Sequence, residues 1–268
     1  AFKALDEFGK PADIEGNILN KKGDIVATFK SYHQGMGSVA ITPNADEIYT
    51  AQITSPVALK TKYALPMAKA DAYTIQVSKQ DKTNIVVDAI SPNAEEIYLI
   101  AQNNGTVVYS EAIQAKKGKN TVSIPTSDMP VGITQISLFD GNKTARAERL
   151  VFTNPHKQLK VSVKTDQEKY LPREKVKMTV EVKDENNRPV EGNFSVSVAD
   201  DKLLTFADDK QGHILSAILL ESELKGKIEE PNFYFDSESD PKRIKPEISR
   251  ARALDHLLMT QGWRRFTW

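Results

Sequence analysis

Across the first three quarters of the chain, apolar side chains recur at every second position in short runs, the pattern of half-buried strands in antiparallel sheets. Ile25-Val26-Ala27-Thr28-Phe29, Ser38-Val39-Ala40-Ile41, Ile48 to Ile53 and Tyr73 to Val77 each carry their apolar members on one face. Turn formers such as Lys21-Lys22-Gly23-Asp24, Asn103-Asn104-Gly105 and Asp140-Gly141-Asn142 separate the runs. Their spacing of about 8–12 residues is that of β-sandwiches. Between Tyr73 and Phe152 seven runs follow one another, enough for one sandwich of two packed sheets.

Proline-bearing connections near Pro66 to Lys69 and at Asn154-Pro155 suggest borders, because proline interrupts ladder pairing. The expected organisation is a first sandwich over 1–68, a second over 69–154 and a third over 155–268. In the third, Leu159 to Val163, Val176 to Val182 and Phe194 to Val198 alternate as strands. Beyond Asp200 the period becomes helical. One helix is expected near 211–228, with Ile214, Ile218 and Leu219 on its apolar stripe, Leu215 and Leu224 extending it, and Asp208 and Asp209 placed to cap it. A second is expected near 247–261, where Ile248, Ala251, Leu254, Leu257 and Leu258 share a face. Pro246 and Glu247 suit its first turn and Gly262 its stop. The charged stretch Asp236 to Lys245, broken by Pro241, reads as a surface loop.

One segment occurs twice. Asp6-Glu7-Phe8-Gly9-Lys10-Pro11 followed by Glu15-Gly16-Asn17 is echoed by Asp184-Glu185-Asn186-Asn187-Arg188-Pro189 followed by Glu191-Gly192-Asn193. A full strand-like run precedes the second copy, whereas only Ala1 to Leu5 precede the first. The expectation is that the first sandwich lacks its opening strand and that the chain is a piece of a longer array of β-modules. A weaker echo, Ile41 to Tyr49 against Ile90 to Tyr98, centres on Pro-Asn-Ala and follows from turn chemistry.

Composition narrows the function classes. The 36 basic and 36 acidic residues cancel, so no global field recruits nucleic acid or an anionic membrane. No apolar stretch approaches the roughly 20 residues needed to span a bilayer as a helix. Absence of cysteine excludes a thiol nucleophile, a disulfide, Cys-ligated zinc and a Cys–Gln thioester within these residues.

Several runs resemble a known family. Tyr170-Leu171-Pro172-Arg173-Glu174-Lys175-Val176, then Asp184 to Gly192, then Phe194-Ser195-Val196-Ser197-Val198-Ala199-Asp200 resemble a macroglobulin (MG2-type) domain of the α2-macroglobulin-like proteins. Pro130 to Ile133 through Glu148 to Phe152 resemble the end of another such domain. Leu257 to Phe266 is similar to a segment of Bacteroidetes exported proteins, in which macroglobulin-like domains precede a carboxypeptidase-regulatory-like or TonB-receptor plug-like region. The resemblance implies tandem macroglobulin-like sandwiches, a periplasmic or outer-membrane-associated location, and a non-catalytic scaffold or binding role toward protein partners or neighbouring domains. Its alternative is a protease-binding or inhibitory relative, although the family's Cys-Gly-Glu-Gln thioester motif does not occur here.

Chemistry-bearing motifs are sparse. His33, His156, His213 and His256 lie far apart and form no His-Glu-x-x-His set. Asp200-Asp201 and Asp208-Asp209 stand eight residues apart in a repeated Ala-Asp-Asp-Lys, a candidate calcium set whose simpler reading is a strand end and a helix cap. Gly35-Met36-Gly37 lacks the Gly-Lys-Ser/Thr of a phosphate loop and suits a tight turn. No Gly-x-Ser-x-Gly elbow occurs, so no catalytic residue and no cofactor are expected. The best binding candidates are Trp263, Arg264, Arg265, Phe266 and Trp268, residue types enriched in interface hot spots. Their competing role is to close the last helix onto neighbouring structure. Tyr49, Tyr98 and Tyr109 read as core or cross-strand residues rather than a carbohydrate platform.

Overall fold

A computed structural model describes residues 1–198, 202, 214–235 and 248–262. The chain is mainly β, built of antiparallel sheets with two helices near its C-terminal end, as the alternation predicts. Residues 1–153 together with the segment from 212 onward form one compact unit, and residues 154–211 form a second. None of the described helices is long and apolar enough to cross a membrane.

The centre of the first unit is a seven-stranded sandwich. One sheet runs β10(Thr106–Ala115)-β9(Glu95–Asn103)-β12(Gly132–Phe139)-β13(Ala145–Thr153), and the other β11(Gly118–Pro125)-β8(Asn84–Ser91)-β7(Thr74–Gln80). Alternate residues Ile97, Leu99 and Ala101 of β9 meet Ile85, Val87 and Ala89 of β8 in one core, all with no exposed surface. Asn104-Gly105 makes the two-residue connection from β9 to β10 with both residues at positive φ, +46° and +73°, the geometry that matches strand twist.

Residues 1–68 contribute a four-stranded sheet, β3(Ile25–Lys30)-β2(Glu15–Leu19)-β5(Thr50–Ser55)-β6(Lys62–Ala64), and a two-stranded ladder of β1(Phe2–Lys3) with β4(Met36–Gly37). Ile18, Phe29 and Tyr49 form its small core. Ser38 to Ile41, expected as a strand, is not one: the ladder sits at Met36–Gly37 instead. Gly35 explains the shift. Its φ is +69°, and a Cβ there would run into the carbonyl oxygens of Ala4 and Ala12, so the chain turns where β1 passes closest.

The doubled segment has a structural basis. In both copies the leading aspartate closes the same turn: Asp6 Oδ1 accepts from Phe8 N and Lys10 N, and Asp184 Oδ1 accepts from Asn186 N and Arg188 N. Gly9 and Asn187 supply the positive φ. Pro11 bridges back to Leu5 and Pro189 to Lys183, and the next amides, Ala12 N and Val190 N, donate to Ala4 O and Val182 O. The turn itself is not confined to the repeat. Asn20 and Asp140 make it in the β2–β3 and β12–β13 hairpins, with Gly23 and Lys143 at positive φ. The echo therefore reports one side-chain-capped turn used four times, and the copies part company afterwards. Glu15–Leu19 becomes the central strand β2, whereas Phe194 to Val198, expected as a strand, lies exposed without a ladder.

Among the described residues the second unit, taken alone, holds a hairpin of β14(Lys160–Thr165) and β15(Met178–Lys183). Val161, Val163, Val180 and Val182 share one face of it; the first three are 59%, 57% and 38% exposed, while Val182 is buried.

The helical segment follows the second unit in sequence but builds a core with the first. Its first piece runs as α1(Ile214–Ser216) into a π-helical turn, Ala217–Glu221, with Ser222 N donating to Ala217 O. The wider turn rotates the apolar register. Ile214 and Ile218, expected on the apolar stripe, are exposed; Leu224 is buried as expected, and Leu220, which the helical period did not place there, is buried with it. A 3₁₀ turn follows at Pro231–Tyr234. The last helix, α2(Arg250–Thr260), is capped by Ser249, whose side chain accepts from Arg252 N; the expected first-turn residues Pro246 and Glu247 lie outside the described residues. It buries Ala253, Leu254, Leu257 and Leu258, while Ala251, expected on that face, is exposed. Gly262 follows the C-cap for a steric reason, because a Cβ there would collide with Leu150 Cδ1 and come within 2.8 Å of Leu258 O. The capping positions Asp208 and Asp209 and the expected loop Asp236 to Lys245 also lie outside the described residues.

Candidate functional site

All five sequence-predicted binding residues, Trp263, Arg264, Arg265, Phe266 and Trp268, lie outside the described residues, as do the calcium candidates Asp200, Asp201, Asp208 and Asp209. Among the described residues no group of three or more His, Asp or Glu could hold a metal ion. Of the tyrosines expected in core or cross-strand roles, Tyr49 is buried, Tyr109 packs against the sandwich core, and Tyr98 lies half-buried with its hydroxyl donating to Glu96 at 2.6 Å.

What the fold assembles instead is a wedge. Leu220, Leu224, Tyr234, Leu254, Leu257 and Leu258 of the helical segment share one buried cluster with Met36 of β4, Ile133 of β12 and Phe152 of β13. The wedge thus joins the strands of residues 1–68 to the sandwich. Tyr32 and His33 are its clamp. Adjacent residues of an extended chain point to opposite sides, so Tyr32 meets α2 while His33 meets the 3₁₀ turn. Tyr32 Oη accepts from Ser249 N at 2.6 Å, its ring meets His256 edge-on, and Arg252 lies 4.4 Å over its face. His33 stacks on Phe233 with centroids 4.3 Å apart and meets Tyr234 edge-on. Two ion pairs add to the join: Lys3 Nζ donates to Glu229 at 2.7 Å and Arg149 Nη2 to Asp255 at 2.5 Å.

His33 and His256 are thus brought to either side of Tyr32, a proximity that 222 intervening positions conceal in the sequence. His256 is 3% exposed, and burial, with Arg252 next, holds its pKa below the ordinary 6.5. Its Nε2 lies 3.0 Å from Ser38 Oγ, the spacing of a nucleophile–base pair. Its Nδ1 is buried without a hydrogen-bond partner, so no carboxylate orients the ring as a triad requires. The pair serves chiefly to satisfy a buried imidazole. Beside the clamp, a groove of about 240 Å³ is lined by Asp13, His33, Gln34, Glu230 and Phe233.

The His256 environment predicts a pH dependence. Above 6.5 the ring is neutral in both folded and unfolded chains; as pH falls through 6.5 the unfolded chain takes the proton first, so stability declines until the lower folded pKa is passed. Asp88 and Asp140, whose hydrogen-bonded carboxylates titrate below 3.8, add their loss only in stronger acid. Urea unfolding is expected to show lower stability at pH 5 than at pH 7.5, and His256→Gln is expected to reduce that difference without abolishing it, because the Ala1 amine, held below 8.0 by burial, also takes up a proton on unfolding.

No protein-family model matches the chain, and no curated protein matches it.

Proposed function

We propose that this chain is a non-catalytic structural and interaction module of a larger bacterial cell-envelope protein, periplasmic or outer-membrane-associated, of the macroglobulin-like type. The observation that carries the reading is the wedge. Its polar groups are engaged in holding two β elements together: Tyr32 and His33 in ring contacts, His256 against Ser38, Lys3 and Arg149 in ion pairs. A block held together in this way is suited to presenting surfaces to other protein. The exposed valines of the β14–β15 hairpin, Val161, Val163 and Val180, are a second support, because contiguous exposed apolar residues are characteristic of surfaces that meet other protein. The runs from Tyr170 to Val198 and from Pro130 to Phe152 supply the macroglobulin resemblance.

The test pairs two assays. A fluorophosphonate probe is expected to label Ser38 no more than the Ser38→Ala background, and cross-linking in an outer-membrane fraction is expected to join the chain to a defined envelope protein. Labelling that depends on Ser38 and His256 would replace the reading with an enzymatic one. Retention of a protease in a stable complex after it cleaves the chain would replace it with the protease-binding alternative.

A further inference from the structure

One edge of the sandwich's four-stranded sheet is built to take a further strand. Among the described residues β10 pairs with β9 alone, so its outer side carries no ladder. Natural sheets guard such edges with charges, proline, bulges or a covering element. The sandwich's other three edge strands are guarded in these ways. β11 carries Lys119 and ends at Pro125, β7 carries Lys79 beside a register shift, and β13 carries Arg146 and Arg149 and gives Phe152 O to Gln80 Nε2. β10, ten residues long, has no lysine, arginine or proline, and its one register shift lies at the hairpin end, between Val107 and Tyr109. From Tyr109 to Ala115 it is regular.

A cavity of about 450 Å³ lies along the same strand, lined by Tyr98, Ile100, Ser110, Ala112, Phe139 and Lys143, with Glu111 at its edge. The register explains its shape. Ala112 stands opposite Tyr98, Tyr98 opposite Phe139, and Ser110 opposite Ile100. Two small, exposed side chains at the edge thus border a floor of large ones. A side chain on a strand added beside β10 would lie over Ala112 and reach that floor, since cross-strand neighbours sit about 4.5–5.5 Å apart and aromatic groups span the diagonal. The volume falls within the roughly 300–1,000 Å³ of ligand pockets, so a bulky group fits. Lys143, from the turn after β12, disfavours a basic group there.

Charge identifies the occupant. Glu111 is the only charged residue of β10, is exposed, and takes the Tyr109 hydroxyl on one of its two carboxylate oxygens. A second copy of β10 paired antiparallel about Ala112 would set the two Glu111 side chains on one face two positions apart, a like-charge contact. A basic residue opposite Glu111 is favoured instead.

We propose that β10 is a docking edge for an extended segment of a partner protein, added antiparallel, with an aromatic residue opposite Ala112 and a basic one opposite Glu111. Backbone bonds supply the affinity, and the cavity and Glu111 supply the selection. The proposal is independent of the wedge, since this edge is open whatever the wedge does.

The probe is the capped peptide Ac-Thr-Val-Phe-Lys-Val-Thr-NH2, titrated into the whole chain and followed by backbone amide resonances. Saturable shifts and slowed amide exchange are expected along Tyr109 to Ala115. Replacing the peptide's Phe by Ala is expected to weaken binding about tenfold. Methylating the peptide nitrogens that face β10 is expected to abolish it. Glu111→Lys is expected to weaken binding severalfold and to restore it for a peptide with Glu in place of Lys. Should that variant fail to fold, Ala112→Lys, at an exposed position, is expected to weaken binding about tenfold. No saturation up to about 5 mM, shifts away from β10, equal binding of the methylated peptide or of N-acetyl-phenylalaninamide alone, or unchanged affinity in both folded variants would overturn the proposal. Concentration-dependent protection of the β10 amides without peptide would overturn it in favour of a second copy.

Discussion

Leu257→Ala is expected to lower the stability of the first unit by about 3 kcal/mol, near the middle of the range for removing a fully buried leucine. Leu257 is 1% exposed and sits in the cluster that joins α2 to Met36, Phe152, Leu220 and Tyr234. Truncation removes the side chain and leaves a cavity, and the surroundings cannot readily collapse into it. Met36 is held by the β1–β4 ladder, Phe152 by the β12–β13 ladder, and Tyr234 by the 3₁₀ turn. Against a typical net stability of about 5–15 kcal/mol, such a loss is a large fraction. Chemical unfolding followed by circular dichroism measures it. A change below about 1 kcal/mol would mean that the helix lies on the surface without closing the core.

Gly16→Ala is expected to cost about as much, by overpacking. Gly16 occupies the central strand β2, and a Cβ there would drive into Phe29 Cζ and into Gln52 O on β5. The first obstacle is the end of a side chain, while the second is backbone in the neighbouring strand. Insertions into well-packed sites cost about 1–3 kcal/mol and occasionally more, and an obstruction by backbone belongs at the upper end. Phe29→Leu combined with Gly16→Ala is therefore expected to recover only part of the loss, because Gln52 O still stands in the way. Full recovery would show that the ring alone sets the need for glycine. Chemical unfolding of both variants decides between them.

Strands were legible where alternation and turn chemistry agreed, as in the seven runs from Tyr73 to Phe152 and at Asn104-Gly105. They were misplaced where a close backbone approach decided the matter. Ser38 to Ile41 alternates well, yet the contact of Gly35 with Ala4 and Ala12 moves the ladder to Met36–Gly37. Helix existence was readable from its period, and helix facing was not. One π-helical turn is enough to bury Leu220 in place of Ile218, and nothing in local propensity announces it. The clamp was hidden for a different reason. Tyr32, His33, Phe233 and His256 meet only through tertiary packing, and none of them belongs to a motif with fixed spacing. A partial signal did exist: an aromatic pair, Tyr32-His33, sits directly before a glycine turn, where side chains on both faces are held in place. The doubled segment was legible as a repeat of sequence, while its basis, a capped turn that Asn20 and Asp140 also make, required the hydrogen bonds.

The central claim is that the helical segment, β4 and the sandwich strands β12 and β13 share one core and open together. Native-state hydrogen exchange on Leu257→Ala tests this most directly. The expected result is that amides of β4, of the π-helical turn and of α2 lose protection by the same free energy, matching the loss from chemical unfolding. Faster exchange confined to α2, with Met36 and Gly37 as protected as in the parent protein, would contradict it.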